Sequence, residues 1–579
     1  MKTLNFIFLL FVYSLEFQCQ WSTDPNVNNA ICTASNDQFF PNIIGDGADG
    51  AIITWEDFRN GGNYDVYAQR INFAGVIVWS LNGVPIASIT NDQSMPRITE
   101  DDTGGAIITW NDFRGGNYSD IYAQKINANG TIQWTANGVS ICSAVNNQNN
   151  PTIVSDGSGG AIITWQDTRD GSFNIYAQRI NANGTALWTT DGVPICSEIN
   201  KQENPTITSD GSGGAIITWQ DYRSNTDYDI YAQRIDSNGD VKWAANGLSI
   251  CSLTGNQVYP IIINNNTYEV IITWFDVRNG IDPDIYAQRL SIDGSVLWAS
   301  NGVVLCTATN LQQFPVLVED GAGGAILTWQ DYRSGAYDVY AQRINMNGDV
   351  MWTTNGVPIS TEVNAQMSPG IISDGQGGAI ITWTDYRDNS NQDIYAQLIN
   401  SNGSVQWTLD GIAISTATTD QYYPSITIDG AGGAIIVWWD YRNGSTSDIY
   451  AQQVSHDGQL GIVTDVKDDI SALPELFSLG QNYPNPFNPT TSIQYAISSR
   501  QFVKLTVYDI LGNEIETPVN EEKPAGTYEV EFNSSTLSGS VSAKGGYASG
   551  VYFYQLKAGD PSTGSGQGYI QTRKMLLLK

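Results

Sequence analysis

The string Trp-x-Asp-x-Arg begins at Trp55, Trp110, Trp165, Trp219, Trp274, Trp329, Trp383 and Trp438, so one unit of 54 or 55 residues recurs eight times. A repeat of that size cannot bury its apolar face alone and must stack on copies of itself. One copy, residues 151–197, reads PTIVSDGSGGAIITWQDTRDGSFNIYAQRINANGTALWTTDGVPICS. Its β-branched runs are separated by Gly157–Gly160 and Asn181–Gly184, residues that supply the positive φ angles of tight hairpin turns. Four strands result: PTIVSD, GAIITWQDTR, NIYAQRI and ALWTTDGVPICS. Eight such sheets predict an all-β, eight-bladed β-propeller.

The two ends of the repeat region complete one another. A second tryptophan recurs at Trp79, Trp134, Trp188, Trp243, Trp298, Trp352 and Trp407, and the eighth unit stops near Leu460 without one. Trp21 through Cys32 matches Trp188 through Cys196 in the third unit. The propeller is therefore expected over residues 21–460, closed by an N-terminal strand that completes the last blade. Residues 1–20 carry Lys2 and an apolar run from Leu4 to Leu15, suited to a signal peptide and short of the roughly 20 residues of a membrane span. The mature chain is expected to be exported, with no membrane span.

Residues present in every unit read as structural, because a ligand rarely has eightfold symmetry. Trp165, Asp167 and Arg169 share one strand face, and their copies are expected to form ion pairs stitching neighbouring blades. Cys32, Cys142, Cys196, Cys251 and Cys306 alternate with Ala87, Ser360 and Ser415 at one repeat position. That pattern marks a small buried site rather than disulfides or metal ligands. A single histidine, His456, excludes histidine-based zinc sites and Ser/His/Asp triads. The net charge of −32 makes nucleic acid an unsuitable partner. The Asp-Gly-x-Gly-Gly turns lack the Lys-Ser/Thr of a phosphate loop. No cofactor or metal is predicted; Asp465, Asp468 and Asp469 could hold calcium but read as part of a solvated acidic linker over residues 461–480.

Function should lie where the units differ, on loops held by a rigid ring. Each inner strand opens with Gln-x-x-Pro, and the two intervening residues vary. Aromatics gather there in two sectors: Phe39, Phe40, Tyr422 and Tyr423 in units 1 and 8, and Tyr259 and Phe314 in units 5 and 6. Rings beside amides and hydroxyls suit stacking on a sugar or a protein contact. The leading expectation is a monomeric, non-catalytic binding protein taking a glycan or a surface protein. The alternatives are a polysaccharide-degrading glycosidase or lyase, and a structural or adhesion protein. An enzyme should break the symmetry with unmatched acids or arginines in the channel.

Residues 481–579 differ in composition and predict a small antiparallel β-sandwich, with strands at 492–497, 503–509, 527–532 and 551–556. The ordered motifs Asn482-Tyr-Pro-Asn-Pro-Phe-Asn-Pro-Thr-Thr491, Leu505 to Gly512, Ser549 to Tyr554 and Lys574 to Lys579 closely resemble the type A C-terminal sorting domain of the type IX secretion system. The resemblance implies a Gram-negative source of the Bacteroidetes or Chlorobi kind. It also implies recognition by the type IX machinery and delivery to the medium or the outer-membrane surface. It assigns the sorting motif to Tyr483, Pro484, Asn485, Pro486 and Phe487, with Lys574 near the C-terminus. Two Gly/Ser-rich insertions, residues 538–547 and 560–568, depart from the family pattern.

Overall fold

The computed structural model describes residues 21–265, 269–280, 282–461, 478–482, 484–497, 501–523, 526–534, 548–558 and 569–578. The expected signal peptide, the triple-aspartate segment, Tyr483 and both insertions lie outside these residues. The chain divides into two compact units, Met1–Thr464 and Asp465–Lys579. Among the described residues no helix is long and apolar enough to cross a membrane.

The first unit is an eight-bladed β-propeller. Seven blades are four-stranded antiparallel meanders in chain order, and the eighth takes its fourth strand from the N-terminus. That strand, Asn29–Cys32, pairs antiparallel with Asp448–Val454. Inner strands such as Gln38–Gly45, Gln93–Glu100 and Gln421–Ile428 line the axis, each lying against its neighbours in the adjoining blades. Second strands, of which Ala161–Asp167 is one, are buried at every position in seven of the blades because blades cover both faces. This explains why their sequences run apolar without alternation.

The outer strand is shorter than the sequence predicts. In the third blade it comprises only Val193–Cys196, and the segment before it is a turn anchored by a single bridge from Ala186 to Ile180. Trp188 uses that turn to leave its own blade: its indole N–H donates to the Ser237 carbonyl of the next blade, 3.2 Å away. Trp21 makes the same contact on the first blade, donating to Phe73 O at 2.9 Å.

The repeated ion pair also departs from expectation. Asp57 and Arg59 pair within one blade at 2.6 Å, because Asp57 ends a strand and Arg59 stands in the turn that follows it. Trp55 donates to the same carboxylate at 2.8 Å, and the guanidinium lies 3.7 Å over the Tyr67 ring. The link to the preceding blade runs from Arg59 Nη2 to Cys32 Sγ at 3.4 Å. Burial pushes all five of these thiols up to about 12, so each stays a neutral thiol. A second basic set crosses the seams instead. Arg70 pairs with Asp46 at 2.8 Å and donates to Ala128 O of the next blade at 2.8 Å.

The second unit packs a three-stranded sheet against a four-stranded one. Thr490–Ile497, Gln501–Tyr508, Gly526–Asn533 and Gly550–Ala558 match the four predicted strands. Glu514–Lys523 and Tyr569–Leu577 add two edge strands, in which charge obscures alternation. The core includes Phe487, Leu505, Phe532, Tyr554 and Leu577.

Candidate functional site

All eight inner strands carry a β-bulge at their mouth end. In the first blade Phe39 faces Glu56 and the next matched pair is Asn42 with Thr54, which leaves Phe40 and Pro41 outside the ladder. The residue before each proline is left-handed: Phe40, Met95, Asn150, Asn204, Tyr259, Phe314, Ser368 and Tyr423 have φ between 49° and 54°. A non-glycine residue there costs about 1–3 kcal/mol and persists only where its surroundings fix it. The bulge re-aims one side chain per blade out over the mouth. Those side chains differ from blade to blade and all keep some exposure.

In five of the eight bulges the fixing contact comes from the middle residue of Trp-x-Asp in the preceding blade. Glu56 accepts the Met95 N–H at 2.6 Å, Gln166 that of Asn204 at 2.8 Å, and Gln220 that of Tyr259 at 3.0 Å. Gln330 and Thr384 do the same for Ser368 and Tyr423, at 3.2 and 3.1 Å. At two blades this residue is aromatic and has no acceptor to offer: Phe275 and Trp439. Each becomes the buried base of an aromatic cluster, 7% and 6% exposed.

The six rings selected from sequence therefore divide in two. Phe40 meets Trp439 edge-on at 4.6 Å and Tyr423 lies 4.9 Å from it, while Phe39 and Tyr422 sit half-buried beside them. Three blades away, Tyr259 stacks on Phe275 at 5.3 Å and Phe314 meets Phe275 at 5.8 Å. Phe40, Tyr259, Phe314 and Tyr423 are 46–54% exposed. Phe275 and Trp439 escaped sequence reasoning, although aligning the eight middle residues of Trp-x-Asp would have singled them out.

Between the clusters, across blades 6 to 8, lies a cleft of about 650 Å³. Phe314 lines one end, Tyr422 and Tyr423 the other, with Gln330, Ser368, Thr384 and Gln392 between. Burial, assisted by the Asp420 carboxylate, pushes the Tyr422 hydroxyl up to about 12, so it remains a neutral donor.

The opposite sector of the mouth is charged. Arg97 stands on the inner strand of blade 2, one residue past the proline, where the other blades carry Asn42, Thr152, Thr206, Ile261, Val316, Gly370 and Ser425. Burial lowers its pKa, and Glu56, itself raised by burial, lies close enough to oppose that shift. Among the described residues no cluster of three His, Cys, Asp or Glu is arranged to hold a metal ion.

In the second unit the sorting motif is locked to the last strand. Phe487 is 2% exposed, its N–H donates to Leu576 O at 2.9 Å, and its carbonyl accepts from Leu578 N–H at 3.1 Å. Asn485 Oδ1 accepts the Leu576 N–H at 2.9 Å. Just upstream, the buried Asn482 side chain donates to Pro484 O at 3.2 Å and Thr491 Oγ1 at 2.9 Å. The Lys574 side chain is exposed.

No curated protein matches the chain. Among solved structures, a PL25 polysaccharide lyase, an ulvan lyase, is 10% identical over 62% of this chain and 92% of its own, with a TM-score of 0.40. An α-L-arabinanase of Penicillium chrysogenum is 11% identical over 53% and 93%, TM-score 0.32. A protein of unknown function from Dyadobacter fermentans is 8% identical over 74% and 97%, TM-score 0.34. At these identities nothing about what those proteins act on transfers to this chain. The secretion system C-terminal sorting domain matches residues 481–565. That domain consigns the chain to the medium or the outer-membrane surface, and the protein is a type IX secretion cargo whose sorting domain follows an eight-bladed β-propeller.

Proposed function

We propose that the propeller is a secreted binding module that captures a glycan at its mouth, with the sorting domain serving only delivery. The observation that carries this reading is the pair of equivalent aromatic clusters, in each of which a buried ring supports half-exposed neighbours held out by left-handed backbone. Eight strained positions retained at one rim, with side chains that differ from blade to blade, favour recognition over packing. A glycan array probed with the full chain and its Phe40→Ala, Tyr259→Ala and Tyr423→Ala variants tests the proposal. Binding that is unchanged in all three variants removes the rim site.

A second reading, a polysaccharide-degrading enzyme, is favoured by one observation. Glu56 and Arg97 break the eightfold symmetry together at the channel mouth, and a carboxyl raised by burial is the usual form of a general acid. Glycosidases need a second carboxylate at defined spacing. Glu203, an unmatched acid on the same rim, has an oxygen occupied by the Tyr228 hydroxyl at 2.5 Å. Release of reducing ends from a bound glycan, lost in Glu56→Gln, would establish this reading over the first.

A further inference from the structure

We infer that the cleft across blades 6 to 8 takes an uncharged polysaccharide chain, laid from the Phe314 ring to the Tyr423 ring. This inference rests on the glycan reading and narrows it to one site and one class of ligand.

The cleft lining contains no lysine, arginine, histidine, aspartate or glutamate, in a chain of net charge −32. A uronate or sulfated glycan would find no cation there, and the surrounding field would repel it. The polar groups present are amides and hydroxyls whose acceptors are partly engaged. Gln330 Oε1 accepts the Ser368 N–H and Thr384 Oγ1 accepts the Tyr423 N–H, which leaves the Gln330 amide hydrogens and the Thr384 hydroxyl hydrogen as donors. Asp420 stands one layer behind. Its carboxylate accepts the Gln392 backbone N–H at 2.9 Å and raises the pKa of the Tyr422 hydroxyl, so it orients the lining from behind. A flat apolar face at each end with neutral hydrogen-bonding groups between them matches a sugar chain, whose rings present C–H faces and hydroxyl edges. The volume falls within the roughly 300–1,000 Å³ usual for small-ligand sites.

The test is calorimetric titration of the full chain with neutral arabinan, xylan, β-glucan and galactomannan, and with anionic polygalacturonate and alginate. At least one neutral glycan should bind with an affinity indifferent to ionic strength. Phe314→Ala and Tyr423→Ala should each weaken it about tenfold, the range expected of a central contact ring. Tyr118→Ala, an exposed ring on the same rim in blade 2, should not. Both cleft rings are solvent-exposed, and unchanged thermal midpoints of the variants confirm intact folding. Neutral binding that survives both substitutions, or binding confined to the anionic glycans, overturns the cleft and leaves the glycan reading standing. Failure of every glycan to bind overturns both.

Discussion

Trp21 donates its indole N–H to the Phe73 carbonyl, 2.9 Å away, and its ring covers Gly75 so closely that a methyl there would come within 2.8 Å of Cδ2. Trp407 makes the equivalent bond to His456 O, also at 2.9 Å. The seam between the chain's two ends is thus built like the seams between consecutive blades.

Trp21→Ala should accordingly lose about 3–5 kcal/mol, the usual range for truncating a buried tryptophan. Trp134→Ala, at an internal seam, should lose about as much. Gly75→Ala should also destabilise, since its φ of +80° strains any side chain and the ring leaves no room. All 17 tryptophans precede residue 440, so tryptophan fluorescence during urea unfolding reports on the propeller alone. A costless Trp21→Ala beside a costly Trp134→Ala would mean that the ring is open in solution.

The Trp-x-Asp-x-Arg carboxylates are fully buried while their arginines keep some exposure, as in Asp221 at 0% and Arg223 at 19%. Asp221→Asn leaves the guanidinium without its counter-charge. The expected loss is about 3 kcal/mol, the lower end for a broken buried pair. Equilibrium unfolding in urea measures it, and a neutral result would show that the pair is dispensable.

Directly across the strand pair from most of these aspartates stands a second one. Burial, reinforced by nearby carboxylates, pushes Asp120, Asp338 and Asp448 up to about 6 and Asp229 and Asp393 to about 7. Each folded pKa exceeds the unfolded value, so the native state binds extra protons below about pH 7 and stability rises as pH falls from 8 toward 5. Thermal midpoints should therefore be higher at pH 5 than at pH 8. Blade 3 carries Asn174 at this position. Asp229→Asn should raise the midpoint at pH 8 and flatten the profile, and a midpoint that falls with decreasing pH contradicts the assignment.

Phe487 and Lys574 should behave oppositely in the sorting domain. Phe487→Ala empties a core position and should cost about 3–5 kcal/mol of that unit's stability. The expected cellular result is cargo retained inside the outer membrane, with propeller fluorescence unchanged. Lys574→Ala, at an exposed site, should leave folding untouched, so any export defect it causes would identify a contact with the secretion machinery. Circular dichroism and cell fractionation read the two outcomes.

Repetition made most of this fold legible. The period, the turn glycines and the split eighth unit specify eight four-stranded blades and the strand exchange that joins the ends, because each unit states the same local preferences again. The sorting domain was equally plain, being carried by ordered local motifs. The Gln-x-x-Pro repeat also puts equivalent residues at equivalent strand positions, so the six rings could be assigned to one rim from sequence. Tertiary structure decided what periodicity does not encode. Whether Asp57 pairs within its blade or across a seam depends on where the strand ends. Phe275 and Trp439 became cluster bases because bulges in their own blade and in the next one turned Tyr259 and Phe314 toward the first, and Tyr423 and Phe40 toward the second. The uncharged cleft between Phe314 and Tyr423 exists only once three blades stand side by side, since its lining comes from strands that are far apart in the chain.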